Sequence, residues 1–506
     1  MVQFFRKLSL THGWIKTSLI SVFLIWMIAN LVGTLNDQSL NPWGLTSALV
    51  KFGLILAILA LIIFKTRLWK LIKEHQNIFI AILIFLALVW QIVVIKSTSA
   101  PIGWDVGSIH GSLFDPKSAS IYLSQNPNNT FLFFFQYLIL KYFNASPTWL
   151  NVNFINLICF DLSLLINVFS VRLLKKDAVK PLIIIQAVLM FSFIQIIVPY
   201  SDVMVLPFVS LIILGFAILK KTKTNTAKIS GLLTFSLASL TAYLMKPSAI
   251  IVTIAILIGF FLQFLQIKFT KKNVLTYGLS LFIFLAIFII GVKSFNTFTY
   301  HNDFVIIQKD KGQPVNHFIS MGITGTGGWS AEQGRVTYTI LKTTRERSSY
   351  SNKIIKKRLK EQGIFGMIQF FIAKNYSNTS DGSFGWYRGD GPYTDTSKPT
   401  KNLMQNIYYQ NGKYYNDYKL IVQVLWILLL SLIILGIGYL SEFSQILRLG
   451  ALGGLTFLLI FEGGRSRYLI QFLPMFLMLA TLSFGSAKIM IKNINATIKS
   501  TLNKAQ

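Results

Sequence analysis

Charged side chains are scarce in this chain: they make up 13% of its 506 residues, about half the share found in a soluble domain. That scarcity excludes an ordinary water-soluble globular protein. Cysteine is nearly absent. Cys159, the only one, lies in an apolar segment, so no intrachain disulfide can form. Histidines number five, and His301 and His317 are too isolated to suggest a metal site. Acidic residues are few, 18 against 48 lysines and arginines, giving a net charge of +30. In a soluble protein that excess would suggest nucleic acid. Here the charge is scattered among short loops and no nucleic-acid-binding module is visible, so no nucleic acid is expected as a partner. No small-residue cleavage site follows the opening Met1-Val2-Gln3-Phe4-Phe5-Arg6-Lys7, so the first apolar run is expected to stay as an anchor. No internal repeat is detectable, which weakens a symmetric transporter reading.

What is abundant is apolar sequence, 53% of the chain, gathered in long blocks. A membrane helix needs about 20 mostly apolar residues. Twelve runs approach that length: 18–35, 45–64, 78–95, 149–173, 181–198, 203–219, 229–244, 249–267, 274–292, 420–440, 449–461 and 468–484. The expected fold class is an α-helical polytopic membrane protein with about twelve transmembrane helices. The run 130–143, TFLFFFQYLILKYF, is too short for a comfortable crossing. It is read as a re-entrant or interfacial helix, with a short true span as the other reading.

Lysine and arginine in short loops mark the cytoplasmic side. Arg6, Lys7 and Lys16 precede the first run; Lys65, Arg67, Lys70 and Lys73 follow the second; Arg172, Lys175, Lys176 and Lys180 follow the fourth. Lys220, Lys221, Lys223 and Lys228 follow the sixth, Lys268, Lys271 and Lys272 the eighth, and Lys488, Lys492, Lys499 and Lys504 lie in the tail. With twelve spans all fall on one side. The expected localisation is the cell membrane, multi-pass, with both termini cytoplasmic. The chain then divides into two N-terminal membrane helices (1–76), a membrane core (77–292) with an outer loop (96–146), an extracytoplasmic domain (293–419) of mixed structure, C-terminal membrane helices (420–485) and a basic cytoplasmic tail (486–506).

Ionisable residues at membrane helix ends are costly and often functional. Four places stand out on the expected outer side: Asp105 in Gly103-Trp104-Asp105-Val106-Gly107; Asp202 in Pro199-Tyr200-Ser201-Asp202; Lys246 in Met245-Lys246-Pro247; and Glu462-Gly463-Gly464-Arg465-Ser466-Arg467-Tyr468. Two carboxylates and several cations on one membrane face suit transfer from a lipid phosphate. The cations hold the phosphate leaving group, and a carboxylate takes a proton from the attacking hydroxyl. Structural roles stay open for each. Asp105 can cap a loop helix, Asp202 can cap the next span, Lys246 can snorkel to headgroups, and Arg465 and Arg467 can pair with lipid or Glu462. The glycine-rich Gly322-Ile323-Thr324-Gly325-Thr326-Gly327-Gly328 lacks the strand–loop–helix setting of a phosphate loop and reads as a turn. The basic run 353–360 reads either as a contact with anionic lipid or as a solvated helix face.

In this order, these residues resemble the GT-C superfamily of membrane glycosyltransferases, and within it the protein O-mannosyltransferase and aminoarabinose lipid A transferase group. The resemblance covers roughly 78–484. Trp104-Asp105 is similar to the family's outer-loop Asp, and Tyr122-Leu123-Ser124-Gln125-Asn126-Pro127-Asn128-Asn129 to its Pro-containing segment. Asp202 is similar to its acidic span end, Lys246-Pro247 to its lysine break, and Arg465-Ser466-Arg467-Tyr468 with Pro474 to its closing basic-Tyr stretch. The stretches 316–322 and 381–386 look like those of Gram-positive bacterial members. The resemblance implies an inverting, single-displacement transfer of a sugar from a polyprenyl-phosphate donor to a cell-wall polysaccharide, teichoic acid or other envelope acceptor on the outer face. It implies Asp105 and Asp202 as catalytic residues and Trp104, Lys246, Arg465, Arg467 and Tyr468 as substrate-binding ones. Three features differ from the family: the runs 18–35 and 45–64 are additions before its core, the segment 122–129 has no lysine or acidic residue before Pro127, and Gly-Trp-Asp carries one carboxylate rather than a pair. So no lysine of that segment is assigned to the phosphate, and no cofactor or divalent metal is assigned. The alternatives are a lipid or sugar transporter or flippase, and a polymerase or ligase of lipid-linked glycans.

Overall fold

The computed structural model describes residues 2–41, 48–53, 55–56, 74–266, 270–385, 399–461 and 463–505. The protein is a polytopic α-helical membrane protein. Among the described residues nine helices are long and apolar enough to cross a membrane, or ten if the bent pair Ser466–Leu482 and Phe484–Thr497 is one span. The run 45–64 falls largely outside the described residues. The helices differ in depth. In Ser201–Lys221 72% of the apolar window is buried, against 61% in both Trp149–Leu174 and Glu442–Ile460 and 6% in Asn273–His301. The first three therefore form the centre, and the last lies at the periphery.

Lipid offers no hydrophobic force between helices, so close packing and polar contacts hold a bundle together. Leu206–Lys221 and Asn225–Met245 meet backbone to backbone: a Cβ on Gly215 would lie 2.6 Å from the Phe235 nitrogen and 2.9 Å from the Gly231 carbonyl oxygen. Hydroxyls join neighbours elsewhere, Ser163 to Ser210 at 2.7 Å and Thr253 to Ser239 at 2.8 Å.

The run 181–198 does not form one continuous helix. It folds as the helix Val179–Ser192, 14 residues, which reaches about 21 Å of the roughly 30 Å hydrocarbon layer. A tight 3-10 turn, Ile194–Ile197, follows. Broken backbone at membrane depth persists only where buried partners satisfy it. Asn156, fully buried on Trp149–Leu174, supplies them: its Nδ2 donates to the carbonyls of Gln195 (3.0 Å), Ile196 (2.8 Å) and Val198 (3.0 Å). This break delivers Pro199-Tyr200-Ser201-Asp202 to the start of the next helix. Asn156→Leu is expected to destabilise the fold by about 1–3 kcal/mol, the cost of stranding buried polar groups, read as a lowered unfolding midpoint in detergent.

The run 130–143 forms Thr130–Tyr142, 13 residues. At about 20 Å it is too short to cross. Its Gln136 donates to the Pro199 carbonyl at 3.0 Å, and Phe133 and Phe134 pack against Ala119, Leu123, Val305 and Ile307.

The segment 293–419 differs from the mixed domain expected. Among its described residues there is no strand; it is built from the end of Lys271–His301 and from Val315–Gly322, Ala331–Arg335, Thr344–Thr379 and Leu403–Tyr408, with a π-helical turn at Val336–Ile340. It also dips into the bundle. Ser380, Asp381 and Phe384 are buried. Gln423 of Tyr415–Leu435 accepts from the Gly382 N–H (2.8 Å) and donates to the Ser380 carbonyl (2.6 Å), while Trp426 donates to the Thr379 carbonyl (2.8 Å). These bonds satisfy the turn's backbone among membrane helices, so the described residues around 379–384 pack within the bundle.

Candidate active site

Asp105 lies in the first turn of Trp104–Ser112. The turn before it is tight. Trp104 adopts φ +56°, rare for a residue with a side chain and typical of sites held by their surroundings. A Cβ on Gly107 would come within 2.4 Å of the Ile102 carbonyl oxygen, so this turn requires glycine there. Each Asp105 oxygen accepts from a phenol: Oδ1 from Tyr122 at 3.0 Å and Oδ2 from Tyr200 at 3.3 Å. Asn129 ties the two phenols together, donating to the Tyr122 oxygen at 2.7 Å and accepting from Tyr200 at 3.5 Å. Burial, and then the Asp105 carboxylate, push the Tyr122 hydroxyl well above its usual value, so it stays a proton donor to Asp105.

The second half of the cluster centres on Asp202, buried in the first turn of Ser201–Met204. Its Oδ1 accepts from Lys246 Nζ at 2.7 Å and its Oδ2 from Arg467 Nη1 at 2.6 Å. Lys246 reaches it because Pro247 cannot continue the helix Asn225–Met245; the chain turns there into Pro247–Ala249. Arg467 sits in the 3-10 turn Ser466–Phe472, and its Nη2 donates to the Tyr468 hydroxyl at 2.8 Å. Two cations thus share the one Asp202 carboxylate. Tyrosine rings flank it. The Arg467 guanidinium lies 4.2 Å from the Tyr468 ring centre and 5.5 Å from that of Tyr200; Lys246 Nζ lies 5.5 and 5.9 Å from the same two rings. Tyr200 thus touches Asp105 with its hydroxyl and both cations with its ring face.

The sequence-expected residues Asp105, Asp202, Lys246, Arg467 and Tyr468 come together in this way. Trp104 is 57% exposed. Arg465 is half-buried at the N-cap of Ser466–Phe472. Glu462 lies outside the described residues. Tyr122, Asn129 and Tyr200 were not singled out, although each stands inside a stretch that was. Among the described residues no group of three or more His, Cys, Asp or Glu is arranged to hold a metal ion.

The loop carrying Arg467 is clamped from the 293–419 segment. Lys374, buried on Thr344–Thr379, donates to the carbonyls of Gly322 (2.5 Å), Leu459 (2.9 Å) and Phe461 (2.6 Å). Asn378, one turn on, donates to the Leu458 carbonyl (3.1 Å) and accepts from the Gly464 N–H (2.7 Å). The glycine-rich 322–328 stretch is the other jaw. The Gly463 N–H donates to the Gly327 carbonyl at 2.8 Å, and a Cβ on Gly464 would lie 2.6 Å from the Thr326 carbonyl oxygen. These glycines serve backbone-to-backbone contact.

His317 stands on Val315–Gly322, the helix that ends at this jaw. It is buried, and neither ring nitrogen has a hydrogen-bond partner among the described residues. Burial, then the nearby Arg347 charge, holds it down at about 4. A folded state that binds fewer protons than the unfolded chain gains stability as pH rises. Stability is therefore expected to fall as pH drops from about 6.5, the free value, towards 4, and His317→Phe should flatten that dependence in unfolding midpoints measured across the window.

A helical bundle that gathers two carboxylates and two cations at the breaks between its spans defines a polytopic membrane protein with a polar site. The chain belongs to a family of conserved hypothetical integral membrane proteins, whose model matches residues 5–488. No curated protein and no solved structure matches it.

Proposed function

We propose that the protein is a glycosyltransferase that moves a sugar from a polyprenyl-phosphate donor to an envelope acceptor on the outer face of the cell membrane, with inversion. The observation that supports this reading best is Tyr200, which joins the carboxylate of Asp105 to the cation pair Lys246 and Arg467. In the reaction, an acceptor hydroxyl oxygen bonds to the anomeric carbon as the carbon–oxygen bond to the donor phosphate breaks. The proton passes from the hydroxyl to Asp105. The phosphate leaves with the bonding electron pair and is held by Lys246 and Arg467, which supply the charge stabilisation a departing phosphate needs. Asp202 orients both cations. A cleft of about 350 Å³ is lined by Ser108, Asp115, Lys117, Ile121, Gln125 and Tyr122, the last of which bonds Asp105. Its hydroxyl, amide and charged groups suit a polyhydroxylated acceptor such as a cell-wall polysaccharide or teichoic acid. The lysine and arginine distribution supports cytoplasmic termini and a site on the opposite side.

The test is a direct assay in nanodiscs. Full-length protein, lipid-linked sugar donor and envelope polymer should yield free polyprenyl phosphate and glycosylated polymer in equal amounts. Movement of labelled lipid between leaflets of reconstituted vesicles, with no sugar transferred, would instead establish the flippase alternative. Transfer of a long glycan in one step would establish the ligase.

A further inference from the structure

The helix Thr344–Thr379 is two helices in one. It bends at Gly363, whose φ of +58° and ψ of −171° are non-helical. Before the bend, one face is fastened inward. Buried Arg347 donates to the carbonyls of Thr337 (2.7 Å), Leu341 (3.1 Å) and Lys311, and Asn316 donates to the Ser348 carbonyl (2.9 Å) and the Asn352 side chain (2.8 Å). The opposite face carries Lys353, Lys356, Lys357 and Lys360, all exposed, with Glu361 as the acid among them. Glu361 meets Lys357 only at 3.8 Å and Arg358 at 4.0 Å, so the face keeps a strong positive balance.

After the bend the exposed side chains change character. Ile364 is 78% exposed, Phe365 83%, Ile368 50% and Ile372 68%. Their spacing puts them on one stripe of the helix. On the other side lie the buried Met367, Lys374 and Asn378. The same half is bonded to the first membrane helix: Trp26 donates to Asn375 at 2.8 Å, and Asn375 donates to Asn30 at 2.8 Å. That helix itself exposes Val22, Ile25, Ile28 and Val32, the surface a span presents to acyl chains. The apolar stripe therefore continues a lipid-facing surface, and the lysines begin where it ends.

We infer that residues 353–372 form a strap on the bilayer: Lys353, Lys356, Lys357 and Lys360 sit on anionic lipid headgroups, and Ile364, Phe365, Ile368 and Ile372 enter the acyl region beside the first span. The Gly363 bend lets the two halves of the segment serve the two layers. Amphipathic segments bind membranes through this combination of buried apolar area and attraction to anionic lipid. The strap also bears on the site, because Lys374 and Asn378, about two and three turns beyond Ile368, hold the backbone that carries Arg467.

The test uses the full chain in nanodiscs of phosphatidylglycerol or of phosphatidylcholine alone. Amide exchange over 353–363 should be at least about 10-fold slower in the anionic discs at low salt, and the difference should shrink at high salt. The variant K353Q/K356Q/K357Q/K360Q, confined to exposed positions, should lose the difference. Phe365→Trp should be quenched by brominated acyl chains in both lipids. Equal exchange in the two discs, or an unquenched Trp at 365, would overturn the strap. Slowing by soluble polyphosphate in neutral discs equal to that by anionic lipid would overturn the choice of lipid as its partner.

Discussion

Asp105→Asn is expected to lower sugar transfer by about 10²–10⁴-fold, the span associated with a lost general base, with little change in protein level. The variant keeps the size of the side chain but gives up the charge that draws the proton. Two phenols aim their hydroxyls at this carboxylate, at 3.0 and 3.3 Å, so it is held rather than free to rotate. The competing structural role predicts something different. A carboxylate in the first turn of Trp104–Ser112 also favours the helix dipole, an effect of about 0.3–1 kcal/mol on stability. Loss of that alone would shift the unfolding midpoint slightly and leave the rate intact. Initial rates of polyprenyl phosphate release, at matched protein level, separate the two. Unchanged release removes Asp105 from the chemistry. Tyr200→Phe is the companion variant: it deletes one hydrogen bond to Asp105 while leaving the ring against both cations.

The spans were legible because lipid imposes a length of apolar sequence that composition reveals directly. The 181–198 run was not, because what breaks it is Asn156, on a different helix, whose bonds to carbonyls about 40 residues away leave no local mark. The charged members of the site were legible for a related reason. Asp105, Asp202, Lys246 and Arg467 each stand at a break in apolar sequence, where an ionisable group is conspicuous. Tyr122 and Tyr200 bond Asp105 directly, yet tyrosine is ordinary near a membrane interface and gave no separate signal. Lys374 was invisible for another reason: its partners are main-chain carbonyls, which every residue has. The polar, Gly- and Tyr-rich composition of 293–419 suggested a domain apart. The side chains of Gln423 and Trp426, reaching back to Ser380, Gly382 and Thr379, and those of Lys374, Asn375 and Asn378 tie it into the bundle.

Asp202→Asn is expected to cost about 3–5 kcal/mol of stability, the penalty for leaving a buried charge without its partner. Lys246, Asp202 and Arg467 have side chains only 11%, 3% and 5% exposed. In the folded protein Asp202 is the carboxylate bonded to both cations, at 2.7 and 2.6 Å. Neutralising it sets two cations close together in a poorly hydrated place. Thermal unfolding in detergent measures the loss, and Asp202→Glu, which restores the charge, should recover part of it. Removing one cation from the damaged site should also help: Lys246→Met added to Asp202→Asn should cost less than the two single changes summed, because the sites are coupled. The proposed donor supplies the sharpest contrast. A ligand that binds only the folded protein raises its stability by mass action, and a phosphate arriving at two cations replaces the missing counter-charge. Polyprenyl phosphate should therefore raise the unfolding midpoint of Asp202→Asn by more than that of the wild type. An equal rise in both proteins would mean that the lipid phosphate binds away from Lys246 and Arg467, and the leaving-group clamp would have to be sought elsewhere in the chain.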